Sequence, residues 1–187
     1  LTATIGEYLR SDLEELGQLL LAVDPSAAEQ LASAILAAER VYLAGLGRSG
    51  LVMRMLALRL MQLGLQTYVV GDPTTPAIGE RDLLVVGSAS GETQGALLAA
   101  RQALVAGAKV AAVTAAAAST LASLADLVLV IPGATPKSVG RPACSALPLA
   151  SVLEQAFLVV ADCVVARLAQ RTGTTDGQMM ARHANIE

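Results

Sequence analysis

The chain has 187 residues and a formal net charge of −3, with 54% hydrophobic but only 2% aromatic residues. It is long enough to enclose a core of its own, and without a run or patch of Lys and Arg it lacks the phosphate-neutralising footprint of a nucleic-acid binder. Two distant cysteines, Cys144 and Cys163, and one histidine, His183, exclude a disulfide scaffold and a Cys/His zinc centre, which points to an intracellular protein with no metal.

The opening Leu1-Thr2-Ala3-Thr4-Ile5-Gly6-Glu7 has neither the basic nor the apolar region of a signal peptide, so a cytoplasmic location is expected. Ile5, Leu9, Leu13, Leu16 and Leu20 recur at helical spacing while Glu7, Asp12, Glu14 and Glu15 take other faces. Residues 2–22 therefore read as an amphipathic helix. Asp24-Pro25-Ser26 breaks it, and a second helix is predicted over 27–39 with Leu31, Ile35 and Leu36 turned inward.

From Val41 the pattern changes to strands alternating with helices. A strand is predicted over 41–44, a glycine corner over 45–50, and a helix over 51–63 that Gly64 ends in the C-cap manner. The alternation repeats with a strand at 67–70, a Pro/Thr loop, a strand at 83–86 and a helix over 93–105 closed by Gly107. A strand at 109–113, a short helix at 120–125 and a strand at 127–131 complete it. Short right-handed crossovers between such strands give a parallel sheet covered on both faces, so the expected fold is α/β: a doubly wound, three-layer αβα sandwich with five parallel strands.

Residues 132–146 hold three prolines and two glycines without periodicity and read as a long loop, a candidate lid. A helix over 147–171 is apolar nearly all round, but Glu154, Asp162 and Arg167 make it a buried helix and not a membrane span. Such a helix needs partners on several sides, which suggests an oligomer core. The tail, 172–187, turns polar, and the whole chain, 1–187, reads as a single domain.

Two corners carry the chemistry. Gly87-Ser88-Ala89-Ser90-Gly91-Glu92-Thr93 follows an apolar strand and precedes a helix. Free amides and the positive dipole end of that helix suit an anion, with Ser88, Ser90 and Thr93 as added donors. An ordinary N-cap built on Ser88 or Ser90 with Glu92 is the competing reading. Gly45-Leu46-Gly47-Arg48-Ser49-Gly50 is a GxGxxG between strand and helix, and Asp72 stands near where a dinucleotide fold places its ribose acid. A dinucleotide needs one such turn, whereas two hydroxyl-rich corners facing one crevice suit a terminal phosphomonoester. No GxxxxGK[ST] is present, and Ala89 stands where a GxSxG elbow needs its serine.

The two corners together resemble the paired signature of the sugar isomerase (SIS) domain family. Within it, Leu147-Pro148-Leu149-Ala150-Ser151-Val152-Leu153-Glu154-Gln155 and Arg182-His183-Ala184-Asn185-Ile186-Glu187 are similar to the 6-phospho-3-hexuloisomerases. The likeness runs from about residue 5 to the end. Ala89 and Ala150 depart from it, each standing where glycine is common, although Ala89 still supplies a backbone amide.

The resemblance implies a cofactor-free phosphosugar isomerase that moves a carbonyl from C3 to C2 of a hexulose 6-phosphate through a cis-enediol, in the ribulose monophosphate route of formaldehyde fixation. Ser49, Ser88, Ala89, Ser90 and Thr93 would hold the phosphate, with Gly47 and Arg48 as further substrate contacts. Glu154, alone in apolar sequence, would be the base, where burial favours a proton-carrying carboxyl. A structural carboxylate paired with Arg is the alternative for it, and Asp162 is expected to be paired in that way. His183 would assist as acid/base or oxyanion donor, in its own site or a neighbour's. The family is tetrameric, so a homo-oligomer is implied, with 3-hexulose-6-phosphate synthase as metabolic partner and neither nucleic acid nor membrane. Three rivals stay open: a non-catalytic sugar-phosphate sensor, another ketose/aldose phosphate isomerase, and an NAD-dependent oxidoreductase resting on Gly45, Gly47, Gly50 and Asp72.

Overall fold

The computed structural model describes residues 3–133 and 145–186. Most of the predicted 132–146 loop, with Cys144, lies outside the described residues. Five strands, β1 (Val41–Gly45), β2 (Thr67–Val69), β3 (Leu83–Gly87), β4 (Lys109–Thr114) and β5 (Leu127–Val130), form one sheet in the order β2-β1-β3-β4-β5. Every pairing is parallel.

The sequence makes the sheet in a simple way. The central strands are continuous apolar runs whose side chains alternate between two buried faces, as a parallel sheet covered on both sides requires. Leu43, Leu83, Val85, Ala111 and Val113 face one core, and Tyr42, Ala44, Leu84, Val86 and Val110 face the other. On the first side lie α2 (Pro25–Ala37), α3 (Gly47–Leu63) and α6 (Val152–Thr172), which encloses Phe157. On the second lie α4 (Gln94–Val105) and α5 (Thr120–Leu124). Ala96, Ala100 and Ala103 of α4 carry no more than a methyl, so this helix lies close to the strands. The doubly wound αβα sandwich is as predicted.

Besides shifts of one to three residues at other element ends, four features differ from the expectation. α3 begins at Gly47 and not at 51, so the glycine corner is itself the first turn of the helix. α6 begins at Val152 and not at 147, because Pro148–Ala150 form a separate 3-10 turn in which Leu149 takes a left-handed φ of 57°. The polar tail contains a helix, α7 (Asp176–Ala181), started by a capping box of Thr175 and Gln178. Finally, α6 is not apolar all round. It packs on α3, α2 and α1 (Ile5–Leu21) within the chain, while Asp162, Cys163, Ala166 and Arg167 form an exposed face. Apolar surface is left open instead on α1, where Ile5, Leu9 and Leu13 are 80%, 60% and 68% exposed, and on α3, where Leu51, Met55 and Leu58 are exposed. Among the described residues no single helix is long and apolar enough to cross a membrane.

Candidate active site

In the order β2-β1-β3-β4-β5 the chain leaves β1 toward one face of the sheet, through α3, and leaves β3 toward the other, through α4. The carboxyl ends of these adjacent strands therefore bound a crevice, the place where open α/β sheets take ligands. Gly45 and Gly87 pair at the last rung of β1 and β3, so both glycine corners open beside the same point.

The first corner is shaped by backbone packed on backbone. A Cβ on Gly50 would stand 2.6 Å from the Gly45 carbonyl oxygen, and a Cβ on Gly45 would stand 2.9 Å from the Gly50 Cα. These two glycines bring α3 down onto the end of β1. Gly47 differs: its φ is +57° and nothing lies within 4 Å of where its Cβ would be, so it faces open space. The N-cap of α3 is Leu46, which makes no side-chain cap, so the amides of the first turn keep their donors for something outside the helix. Ser49 lies in this turn and is buried.

The second corner is not an ordinary cap. Thr93 is the N-cap of α4 and makes no side-chain cap bond. Ser88, buried, donates its hydroxyl to Thr93 Oγ1 at 3.3 Å, and Ser90 Oγ accepts from the Glu92 amide at 3.3 Å. Glu92 does not reach back to complete a capping box. Its carboxylate accepts the Thr120 amide at 2.6 Å, and that hydrogen bond holds the carboxyl below the usual carboxylate range. Ala89 and Ser90 donate no hydrogen bond to another backbone group among the described residues. Hydroxyls and amides therefore converge on one small volume, as binding of a compact anion requires.

Glu154 comes to this crevice from the first turn of α6, where a carboxylate is favoured by the helix dipole. Its side chain is 14% exposed and accepts Arg48 Nε at 3.2 Å, while the other arm of the guanidinium reaches the Ser151 carbonyl at 3.4 Å. The carboxylate that stands alone in sequence is thus paired in space with an arginine from the first corner. The structure brings together Ser49, Arg48 and Glu154 with the corner of Ser88, Ser90 and Thr93. That pairing spans 106 positions, so no local pattern signals it.

His183 is not among them. It follows α7 and lines a cavity of about 430 Å³ with Arg59, Gln62, Asp162, Met179 and Met180. Its neighbour Arg182 donates to the Gln62 carbonyl at 2.9 Å, fixing the tail to the C-terminal end of α3. A helix of 17 residues spans about 25 Å, so this cavity and Ser49 lie toward opposite ends of α3. Asp162, predicted to be a paired buried acid, is exposed and lines the same cavity. Asp72 is held by both arms of Arg54 at 2.8 and 3.3 Å, so the acid needed for a ribose is already engaged.

Known proteins resemble this chain over most of its length. The model of the SIS domain matches residues 34–160, which include both corners and Glu154. The chain is 43% identical over 187 residues to a protein of Mycobacterium gastri named 3-hexulose-6-phosphate isomerase, covering 98% of this chain and 94% of that one. A protein of the same name from Bacillus subtilis (strain 168) is 35% identical over 182 residues, covering 97% and 98%. Among solved structures, one from Methanococcus jannaschii, described as inferring a function of 3-hexulose-6-phosphate isomerase, superimposes with a TM-score of 0.83 at 27% identity, covering 94% and 99%. With a match that spans the sheet, both corners and the start of α6, the chain belongs to the SIS domain family.

Proposed function

We propose that this chain isomerises D-arabino-3-hexulose 6-phosphate to fructose 6-phosphate. The observation that carries the reading is the placement of Glu154, held by Arg48, beside two hydroxyl-bearing corners at the β1/β3 crevice. The full-length relatives named for this reaction support it.

In this reading Ser49, Ser88, Ser90 and Thr93, with the amides of Gly47 and Ala89, take the phosphate. Glu154 removes the proton from C2 of the 3-hexulose; the electron pair forms the C2=C3 bond and the C3 carbonyl becomes an enediolate oxygen. Returning the proton to C3 while the C2 hydroxyl passes its own to the C3 oxygen leaves a hydroxyl at C3 and the carbonyl at C2. Arg48, as a cation beside Glu154, stands where an enediolate oxygen or a sugar hydroxyl would be steadied. Holding the phosphate fixes the reacting carbons relative to Glu154, so binding there contributes to rate. No cofactor is required.

His183, at the far end of α3 in its own chain, fits this chemistry as a contribution to a neighbouring subunit's site. A homotetramer accommodates that role, and the exposed apolar face of α1 supplies contact surface for it. We place the enzyme in the cytoplasm, taking its substrate from 3-hexulose-6-phosphate synthase in the ribulose monophosphate pathway, with residues 1–187 acting as one SIS domain.

The test is proton exchange in heavy water. Incubation with fructose 6-phosphate should introduce deuterium at C3. Label at C1 would make the enzyme a ketose/aldose isomerase, and no label with intact binding would make it a sugar-phosphate sensor.

A further inference from the structure

Segment 114–121, from the last residue of β4 into the first turn of α5, makes several hydrogen bonds to the second corner. The Ala89 carbonyl accepts the Ala115 amide at 3.1 Å and the Thr114 hydroxyl at 3.3 Å, and the Gly91 carbonyl accepts the Leu121 amide at 3.0 Å. Gly91 takes a φ of +64° and lies so close to Ser119 that any Cβ would collide with its side chain. Because a trans peptide points its N–H opposite to its C=O, fixing the Ala89 carbonyl on this segment turns the Ser90 amide away from it, and that amide donates to no other backbone group among the described residues.

Glu92 supplies the only charged tie in this buttress. Its carboxylate accepts the Thr120 amide at 2.6 Å, between Ser90 and the helix cap Thr93. The location is otherwise a poor one for an acid, since a carboxylate in an anion-binding corner repels the anion. Bonding to Thr120 directs the charge out of the corner and fixes the last peptide before Thr93.

We propose that Glu92 is a positioning residue for phosphate binding: it acts through Thr120 to hold the corner of Ser88 to Thr93 in its donor-forward shape. The inference rests on the reading of that corner as a phosphate site. Charge and position predict opposite outcomes. If Glu92 were a passive surface acid, removing its charge would tighten anion binding; as a tie, its loss loosens the corner and weakens binding.

The experiment compares Glu92→Ala and Glu92→Gln with the wild-type chain, measuring turnover of fructose 6-phosphate and, separately, the dissociation constant of inorganic phosphate. For Glu92→Ala, the KM and the phosphate constant should rise together by about five- to tenfold, with any fall in kcat following the looser hold on the phosphate. Glu92→Gln keeps an oxygen that accepts from Thr120 and should stay within about threefold of wild type in both constants. Unchanged or tighter phosphate binding by Glu92→Ala overturns the proposal, and so does a Gln variant as weakened as the Ala variant. A wild-type chain that binds phosphate without isomerising fructose 6-phosphate refutes the isomerase reading alone, and the phosphate titration still decides the role of Glu92.

Discussion

Arg48 on the first turn of α3 holds Glu154 on the first turn of α6, Nε to Oε2 at 3.2 Å, and so links the first glycine corner to the proposed base. The pair engages one carboxylate oxygen, Oε2. Its Glu154 member is the most direct test of the chemistry. Glu154→Gln keeps the shape and loses the base, so fructose 6-phosphate should bind with nearly unchanged affinity while kcat falls by about two to four orders of magnitude. Turnover within tenfold of wild type would assign the proton to another group.

Arg48 is predicted to matter for orientation as well as charge. Arg48→Ala leaves the Glu154 carboxylate untethered and should lower kcat by about tenfold or more, and Arg48→Lys, which cannot engage Glu154 and the Ser151 carbonyl with one planar fork, should recover only part of it. Pre-steady-state rates of C3 proton exchange separate this effect from substrate affinity.

The corner glycines should differ sharply from one another. Gly50→Ala forces a methyl against the Gly45 carbonyl, and the backbone must move; a loss of about 1–3 kcal/mol is expected. Gly47→Ala meets no neighbour and has only its left-handed φ to bear, at about 1 kcal/mol. Thermal unfolding of the two variants should rank them in that order.

Acid should release the Glu92 tie. Its pKa in the folded chain is depressed by the Thr120 amide, so the bond adds stability above the ordinary carboxylate range, where the unfolded chain titrates. That contribution is lost as pH falls through the depressed folded value. Side-chain NMR should place the Glu92 midpoint below that of a glutamate in an unstructured peptide, with the Thr120 amide shift following the same transition and Glu92→Gln abolishing it.

For His183 the prediction is complementation. His183→Ala and Glu154→Gln chains, each weak alone, should regain activity when co-assembled if the histidine serves a neighbour. Mixed assemblies no better than their parents would return His183 to its own chain's site or remove it from catalysis.

The order of strands and helices was legible because buried parallel strands leave continuous apolar runs that glycines and caps punctuate. Helix starts were less so. Propensity reads Gly45 to Gly50 as a loop, but the Gly45–Gly50 contact and the left-handed Gly47 start α3 inside it. The T-x-x-Q of Thr175 and Gln178 did announce α7 to a reader looking for capping boxes. The hydroxyls of both corners were visible as a pattern. What held them was not, because Arg48 to Glu154 and Glu92 to Thr120 join segments 106 and 28 positions apart, and the engagement of Asp72 by Arg54 depends on where α3 lies over the sheet edge.

The contact of Gly45 with Gly50 has one more implication, for how this protein tolerates change. The floor of the crevice is set by two backbones in contact, with no side chain between them, so no rotamer change in the surrounding Leu, Val and Ala core can alter that spacing directly. Volume-conserving exchanges in the core can therefore accumulate while the crevice keeps its shape, and a single methyl at Gly45 or Gly50 does what many such exchanges do not.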